Sequence, residues 1–139
     1  METFRIKPEI VFGAGALAAL ERLEGQRVLV VTDSFLAQSG LLERVLAHLK
    51  GCTVERFTQV KPDPPLALVA QGARQLAQFK PQAVIAFGGG SPMDCAKAMV
   101  EFGKKLGAPE EIHLVAIPTT AGTGAEVTPL PAPPRPPRG

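Results

Sequence analysis

The 139-residue sequence contains no tryptophan and no tyrosine. That excludes base stacking on large aromatic platforms as a main binding theme. It holds two cysteines, Cys52 and Cys95, too few for a disulfide framework, and they read as reduced thiols of a cytoplasmic protein. It holds two histidines, His48 and His113, with no HxxxH spacing, so each reads as a surface or hydrogen-bonded side chain rather than a metal ligand. No Ser–His–Asp or Cys–His arrangement can be assembled. No apolar run approaches the ~18 residues of a membrane span. The opening METFRIKPEIVF lacks the apolar core of a secretory signal. The formal net charge of +2 gives no nucleic-acid footprint.

What is present suits one globular domain, for hydrophobic residues make up 45% of the chain, enough to fill a core. Residues 4–12, FRIKPEIVF, read as an extended segment that Pro8 restricts to an edge strand or a hairpin arm. In GAGALAALERLEG, Leu17, Leu20 and Leu23 recur at near-helical spacing, and Gly25 suits the stop. RVLVVT at 27–32 reads as a buried strand with Asp33 at its end. Residues 36–50 pattern as one amphipathic helix carrying Leu42, Val45, Leu46 and Leu49 on one face, stopped by Gly51. TVERFT at 53–58 alternates like a strand, and prolines at 62, 64 and 65 make the next stretch a loop. The pattern then predicts a helix at 66–79, a strand at 83–87, a helix from Ser91 to about Leu106 and a strand at 113–117.

Strands alternating with helices predict an α/β fold, a Rossmann-like parallel sheet with helices on both faces. Ligands of such folds bind beyond the carboxyl ends of the strands. Asp33, the glycines at 88–90 and the TTAGTG loop each follow a buried strand, which places all three along one edge. The final residues, PLPAPPRPPRG, suit neither strand nor helix interior. The expected organisation is therefore an α/β domain over 1–128 and a polyproline-type or disordered tail over 129–139.

The chemistry concentrates in VIAFGGGSPMDCAKAM, 84–99. A buried strand runs into three glycines and then a helix start. Glycines leave no Cβ between a ligand and the main chain, and a helix start offers unpaired N–H groups and a positive dipole end. Together they suit an anion, most often a phosphate. Ser91 as N-cap, Pro92 at the first helical position and Asp94 three residues after Ser91 read as a capped start, S-x-x-D. Asp94 can serve that cap or meet a ribose or substrate hydroxyl. The loop from Pro118 to Thr128 brings Thr119, Thr120, Thr123 and Thr128, whose hydroxyls can donate to phosphate oxygens, although a solvated turn would carry the same residues.

A weaker match is Gly13-x-Gly15-x-x-Ala18, with Asp33 twenty positions after Gly13, in the spacing of the dinucleotide fingerprint. Its preceding strand is short and interrupted by Pro8, so the phosphates are assigned to Gly88–Ser91 and the earlier glycines to a turn. Asp33 serves either arrangement. A carboxylate at a strand end accepts two ribose hydroxyls and repels a 2′-phosphate, favouring NAD over NADP. It can also cap the helix that begins near Phe35.

GGGSPMDCAKAM at 88–99 and IPTTAGTGAEVT at 117–128 together resemble the iron-containing, group III alcohol dehydrogenases. The resemblance extends upstream through FGAGAL, VVTDSFLAQSG and VKPDPP, and covers roughly residues 4–128. The wording of DSFLAQSG and VKPDPPLALV is similar to the propanol and ethanol dehydrogenases of propanediol and ethanolamine utilisation. Dehydroquinate synthase shares the fold. The resemblance implies an NAD(P)-binding N-terminal α/β domain followed by a helical domain. It implies that Asp33 meets the adenosine ribose, with Phe35 beside it among the cofactor-binding residues. It implies that Gly89, Gly90 and Ser91 hold the pyrophosphate and that Asp94 lies near the nicotinamide end. Thr119, Thr120, Thr123 and Thr128 would line the cleft. The implied parent reaction converts a primary alcohol to an aldehyde, passing hydride to NAD. A divalent iron on one Asp and three His would stabilise the alkoxide.

Those four ligands come from later sequence in the family, and here the Pro/Arg tail follows Thr128 instead. The expectation is a truncated product whose tail is read out of frame, lacking the helical domain and the Fe²⁺ ligands, and inactive as it stands. The expected partners are a nicotinamide dinucleotide and, in the parent, a small alcohol or aldehyde. Neither nucleic acid nor a membrane is expected, and a homo-oligomeric parent stays open. Two further readings stay open. One is a non-catalytic nucleotide-binding module. The other is a tail in which Pro131-x-x-Pro134 and Pro134-x-x-Pro137, with Arg135 and Arg138, resemble ligands of SH3-type grooves.

Overall fold

The computed structural model describes residues 9–11 and 18–119. Five strands are formed: β1 (Glu9–Ile10), β2 (Arg27–Asp33), β3 (Thr53–Val60), β4 (Ala83–Gly88) and β5 (His113–Pro118). Between them lie helices α1 (Ser34–Gln38), α2 (Leu41–Leu46), α3 (Leu66–Phe79) and α4 (Gly90–Lys105), with a 3-10 turn at Ala47–Leu49. Residues 18–21 are also helical. The strands form one sheet in the order β1-β5-β4-β2-β3, and every pairing is parallel.

A parallel sheet covered on both faces needs strands that are apolar on both sides, and β2, β4 and β5 have them. Along β2, Val28 and Val30 face one core while Leu29 and Val31 face the other. The first core packs Leu20, Leu23, Leu36, Leu42, Val45 and Leu49 against the sheet. The second packs Val69 and Leu76 of α3 and Met99 and Val100 of α4 against the opposite face. The α/β architecture predicted from alternating strands and helices is the one observed.

Several local expectations need correction. The stretch 36–50 is not one helix. Gly40 takes φ 93, a left-handed conformation that ends α1 and opens α2. The apolar periodicity runs through the break because both pieces bury their leucines against the same face. Strand β3 runs two residues past the predicted 58, to Val60. Ser91 is not the N-cap of α4. Gly89 is, so Ser91 already lies inside the first turn, and Asp94 does not complete a capping box. The edge placement that Pro8 predicts is observed, for β1 is a two-residue edge strand parallel to β5 rather than a hairpin arm. The fingerprint-like glycines at 13 and 15 and the tail 129–139 lie outside the described residues.

The amino-terminal edge of the sheet is tied by polar side chains. The Arg27 guanidinium donates through Nε to the Phe79 carbonyl at 3.0 Å and through Nη2 to the same oxygen, and it stacks 5.0 Å from the centre of the Phe79 ring. It thereby satisfies the carboxyl end of α3, where a cation is favoured. At the start of β5, His113 Nε2 lies 2.8 Å from Glu9 Oε1, and Arg22 also bridges Glu9 at 3.1 Å. His48 Nδ1 lies 3.5 Å from Glu21 Oε2. Both histidines are thus partnered side chains, as their isolation in the sequence predicts.

Candidate functional site

From β2 the chain passes to β3 on one side and then crosses to β4 on the other. The strand order therefore reverses at the β2/β4 boundary, and ligands of such folds bind beyond the carboxyl ends of the strands at that point. Of the stretches predicted to share an edge, Asp33 ends β2 and Gly88 ends β4 at the same edge, and Thr119, which follows β5 there, is the one residue of TTAGTG among the described residues.

On the β2 side, Asp33 caps α1. Its Oδ1 accepts from the Leu36 N–H at 2.8 Å, and the buried Leu36 anchors this short helix below it. Phe35 is 56% exposed beside it. On the β4 side, the three glycines divide into two kinds. Gly88 has φ +138, and a Cβ there would meet Pro92 Cγ at 2.8 Å and Leu36 Cδ1 at 3.1 Å, so the fold itself requires glycine. A Cβ on Gly89 or Gly90 would meet nothing within 4 Å. Among the described residues, nothing packs against those two positions or demands that they lack a side chain. Gly89 caps α4 without any side-chain hydrogen bond, so among the described residues the first-turn N–H groups have no side-chain cap.

On the β5 side, the Thr119 N–H donates to the Gly88 carbonyl at 2.9 Å, stitching the two loops together. The Thr119 Oγ1 is buried and has no hydrogen-bond partner among the described residues. An unpaired buried hydroxyl is costly in a finished fold. Asp94 is exposed on α4, past the first turn. Thr120, Thr123 and Thr128 lie outside the described residues.

Two features of this edge escaped the sequence reading. Thr32 is fully buried, and its Oγ1 donates to the Phe87 carbonyl at 2.7 Å. A hydroxyl closing the apolar run RVLVV was the signal. Asp63, in the proline-rich loop after β3, has φ 49, uncommon for a residue with a Cβ. Its position between Pro62 and Pro64 gave only the loop.

The residues at this edge fit a dinucleotide. They offer an anion-compatible helix start, main chain open toward the described residues, and a buried hydroxyl with no partner among them. Iron finds no such fit, for no group of three His, Cys, Asp or Glu side chains that could hold a metal occurs among the described residues. A cavity of about 380 Å³, lined by Glu21, Glu24, His48, Lys50 and Cys52 among others, opens at the opposite, amino-terminal edge of the sheet. Cys95 is buried in α4, where loss of solvent pushes its thiol up from the ordinary value. It is therefore a neutral packing group rather than a nucleophile.

A parallel sheet with a switch point in its strand order and a glycine-rich helix start defines the dinucleotide-binding class of α/β proteins. Residues 7–131 match the family described as iron-containing alcohol dehydrogenase, and the chain belongs to that family. It is 43% identical to the 1-propanol dehydrogenase PduQ of Salmonella typhimurium over 129 residues, covering 92% of this chain and 35% of that protein. An NADPH-dependent butanol dehydrogenase of Clostridium saccharobutylicum is 36% identical, with 92% of this chain and 37% of that protein covered. The crystal structure of an iron-containing alcohol dehydrogenase from Thermotoga maritima superposes with a TM-score of 0.68 at 31% identity, covering 93% of this chain and 41% of that one. The chain thus spans little more than a third of the length of these curated relatives.

Proposed function

We propose that residues 1–128 form the nicotinamide-dinucleotide-binding part of an iron-dependent alcohol dehydrogenase. The pyrophosphate rests on the N–H groups of Gly89, Gly90 and Ser91. Asp33 accepts the hydroxyls of the adenosine ribose through the carboxylate oxygen its cap leaves free, with Phe35 against the adenosine. Asp94 lies toward the nicotinamide end. Thr119, Thr120, Thr123 and Thr128 line the other wall, and the ligand supplies Thr119 Oγ1 with its missing partner. The observation that carries this reading is the start of α4, where the described residues provide no side-chain cap and no neighbour that requires Gly89 or Gly90 to be glycine.

The Asp33 charge sets the choice of cofactor. A 2′-phosphate would sit against the carboxylate, so NAD is preferred over NADP. The parent reaction is interconversion of a primary alcohol, such as propanol, and its aldehyde. In the parent enzyme the iron would polarise the alcohol oxygen as a Lewis acid; none of the described residues of this chain is assigned to hold it. This chain's own residues bind and orient the dinucleotide, and with no ligand cluster among the described residues the 139-residue chain is proposed to bind without turnover. Its two free cysteines fit a reducing compartment, the cytoplasm.

Titration with NAD and NADP tests the assignment. NAD should bind at least about tenfold more tightly, a difference of about 1.4 kcal/mol. Asp33→Asn keeps the helix cap, since asparagine caps as well as aspartate, and should narrow that preference. Equal affinities in the unaltered chain would remove the role of Asp33. Incubation with ferrous iron, propanol and NAD should yield no NADH, and steady turnover would overturn the claim of binding alone.

A further inference from the structure

We propose that Thr32 is a positioning residue, whose hydroxyl fixes the Phe87 carbonyl and through it the Gly88–Ser91 main chain that receives the pyrophosphate. The inference rests on the dinucleotide reading above. Thr32 is fully buried at the end of a strand that is otherwise apolar from Val28 to Val31. Valine would fill the same space without the cost of burying a hydroxyl, so the oxygen needs a reason. Its bond to the Phe87 carbonyl, at 2.7 Å, supplies one.

The place matters more than the bond. The β2/β4 register runs as far as Val31 opposite Ala86. Beyond that pair the β2/β4 ladder ends: β2 runs into the Asp33 cap, while β4 continues into Gly88 at φ +138. On the other side of β2, the register with β3 shifts between Val31 and Asp33, so the ladder is already irregular at Thr32. Such irregularities re-aim residues beside sites. Thr32 extends the attachment of β2 to β4 by one carbonyl after the regular register ends. The next carbonyl, that of Gly88, is held from the opposite strand by the Thr119 N–H at 2.9 Å. Two consecutive carbonyls are therefore tied to β2 and β5 in turn. The peptide planes on both sides of Gly88 are thereby fixed, and the N–H groups that follow are delivered in one orientation. The β4/β5 register continues through Gly88 opposite Pro118, so the N–H side of the Phe87–Gly88 peptide stays paired with β5. Without Thr32 its carbonyl loses the tie to β2, and the pyrophosphate meets donors that are less firmly fixed. Adenosine, held at Asp33 and Phe35, would be little affected.

The experiment measures binding of NAD, ADP and adenosine to the 139-residue chain by ligand-observed NMR. It compares wild type, Thr32→Val, Thr32→Ser and Leu49→Ala, the last being a core substitution near the opposite edge. Thr32→Val should weaken NAD and ADP by about tenfold or more and change adenosine by less than about twofold. Thr32→Ser should restore both. Leu49→Ala should lower the melting temperature and leave NAD affinity unchanged. If valine does not fold, Thr32→Cys, of similar size and a weaker donor, takes its place with the same expected selective loss. Unchanged NAD affinity in the valine or cysteine variant, equal losses for NAD and adenosine, or failure of serine to restore binding would overturn the role of Thr32 alone. A wild-type chain that binds no NAD would overturn the dinucleotide reading and this inference with it.

Discussion

The triple glycine is one motif in the sequence and two kinds of residue in the molecule. Gly88 is held at positive φ with Pro92 and Leu36 in the space a Cβ would take, whereas among the described residues nothing lies within 4 Å of a Cβ on Gly89 or Gly90. Gly88→Ala should therefore destabilise the fold by roughly 1–3 kcal/mol, read as a lower denaturant midpoint. Gly90→Asp should leave stability unchanged or raise it by up to about 1 kcal/mol, because an acid in the first turn suits the helix dipole. A loss of stability in the second variant to match the first would contradict the division. Cys95 supplies a pH effect. Burial raises its thiol above the unfolded value, so its share of stability is complete below the ordinary thiol range and lost as pH rises through the raised value. As pH rises above the ordinary thiol value of about 8.5, wild type should lose more stability than Cys95→Ala. Equal losses would mean that the thiol is solvated. Of these residue-level facts, the glycine run and Asp33 were legible in the sequence. Thr32 was not, because its role depends on Phe87, which is distant in sequence and becomes its neighbour only once β2 and β4 pair.

At the scale of elements, the apolar strands and α3 are where the sequence speaks most plainly. Strands buried on both faces read as unbroken apolar runs, which fixes β2, β4 and β5 to within a residue or two. Helix α3 occupies the predicted 66–79, between Pro65 and the left-handed Lys80. The failures occur where two local signals compete. Across 36–50 the leucine spacing outweighed Ser39–Gly40, although the glycine ends one helix there and begins another. At α4 the S-x-x-D pattern outweighed two glycines that carry no capping signal of their own, and the helix begins ahead of it. The corrected break makes its own prediction. Gly40 sits at φ +93, and a Cβ there would meet nothing within 4 Å, so strain alone opposes a side chain. Gly40→Ala should cost about 1–2 kcal/mol, measured by chemical denaturation. A neutral or stabilising result would mean that α1 and α2 can fuse into the single helix their leucine pattern suggests.

At the scale of the whole molecule, one sheet does two jobs. Its two faces bury the cores that hold the helices in place. Its carboxyl edge, at the reversal of strand order, gathers a carboxylate, a helix start and a buried hydroxyl from residues far apart in sequence. The polar ties of Arg27, Glu9 and His113 stand at the other end. The account's central claim is that this edge binds a nicotinamide dinucleotide through the start of α4. Isothermal titration of NAD into the 139-residue chain, wild type against Gly90→Asp, tests it most directly. The predicted result is one NAD bound per wild-type chain and at least about tenfold weaker binding by the aspartate variant, because its carboxylate meets the pyrophosphate. No binding by a folded wild-type chain, or equal binding by both, would contradict it.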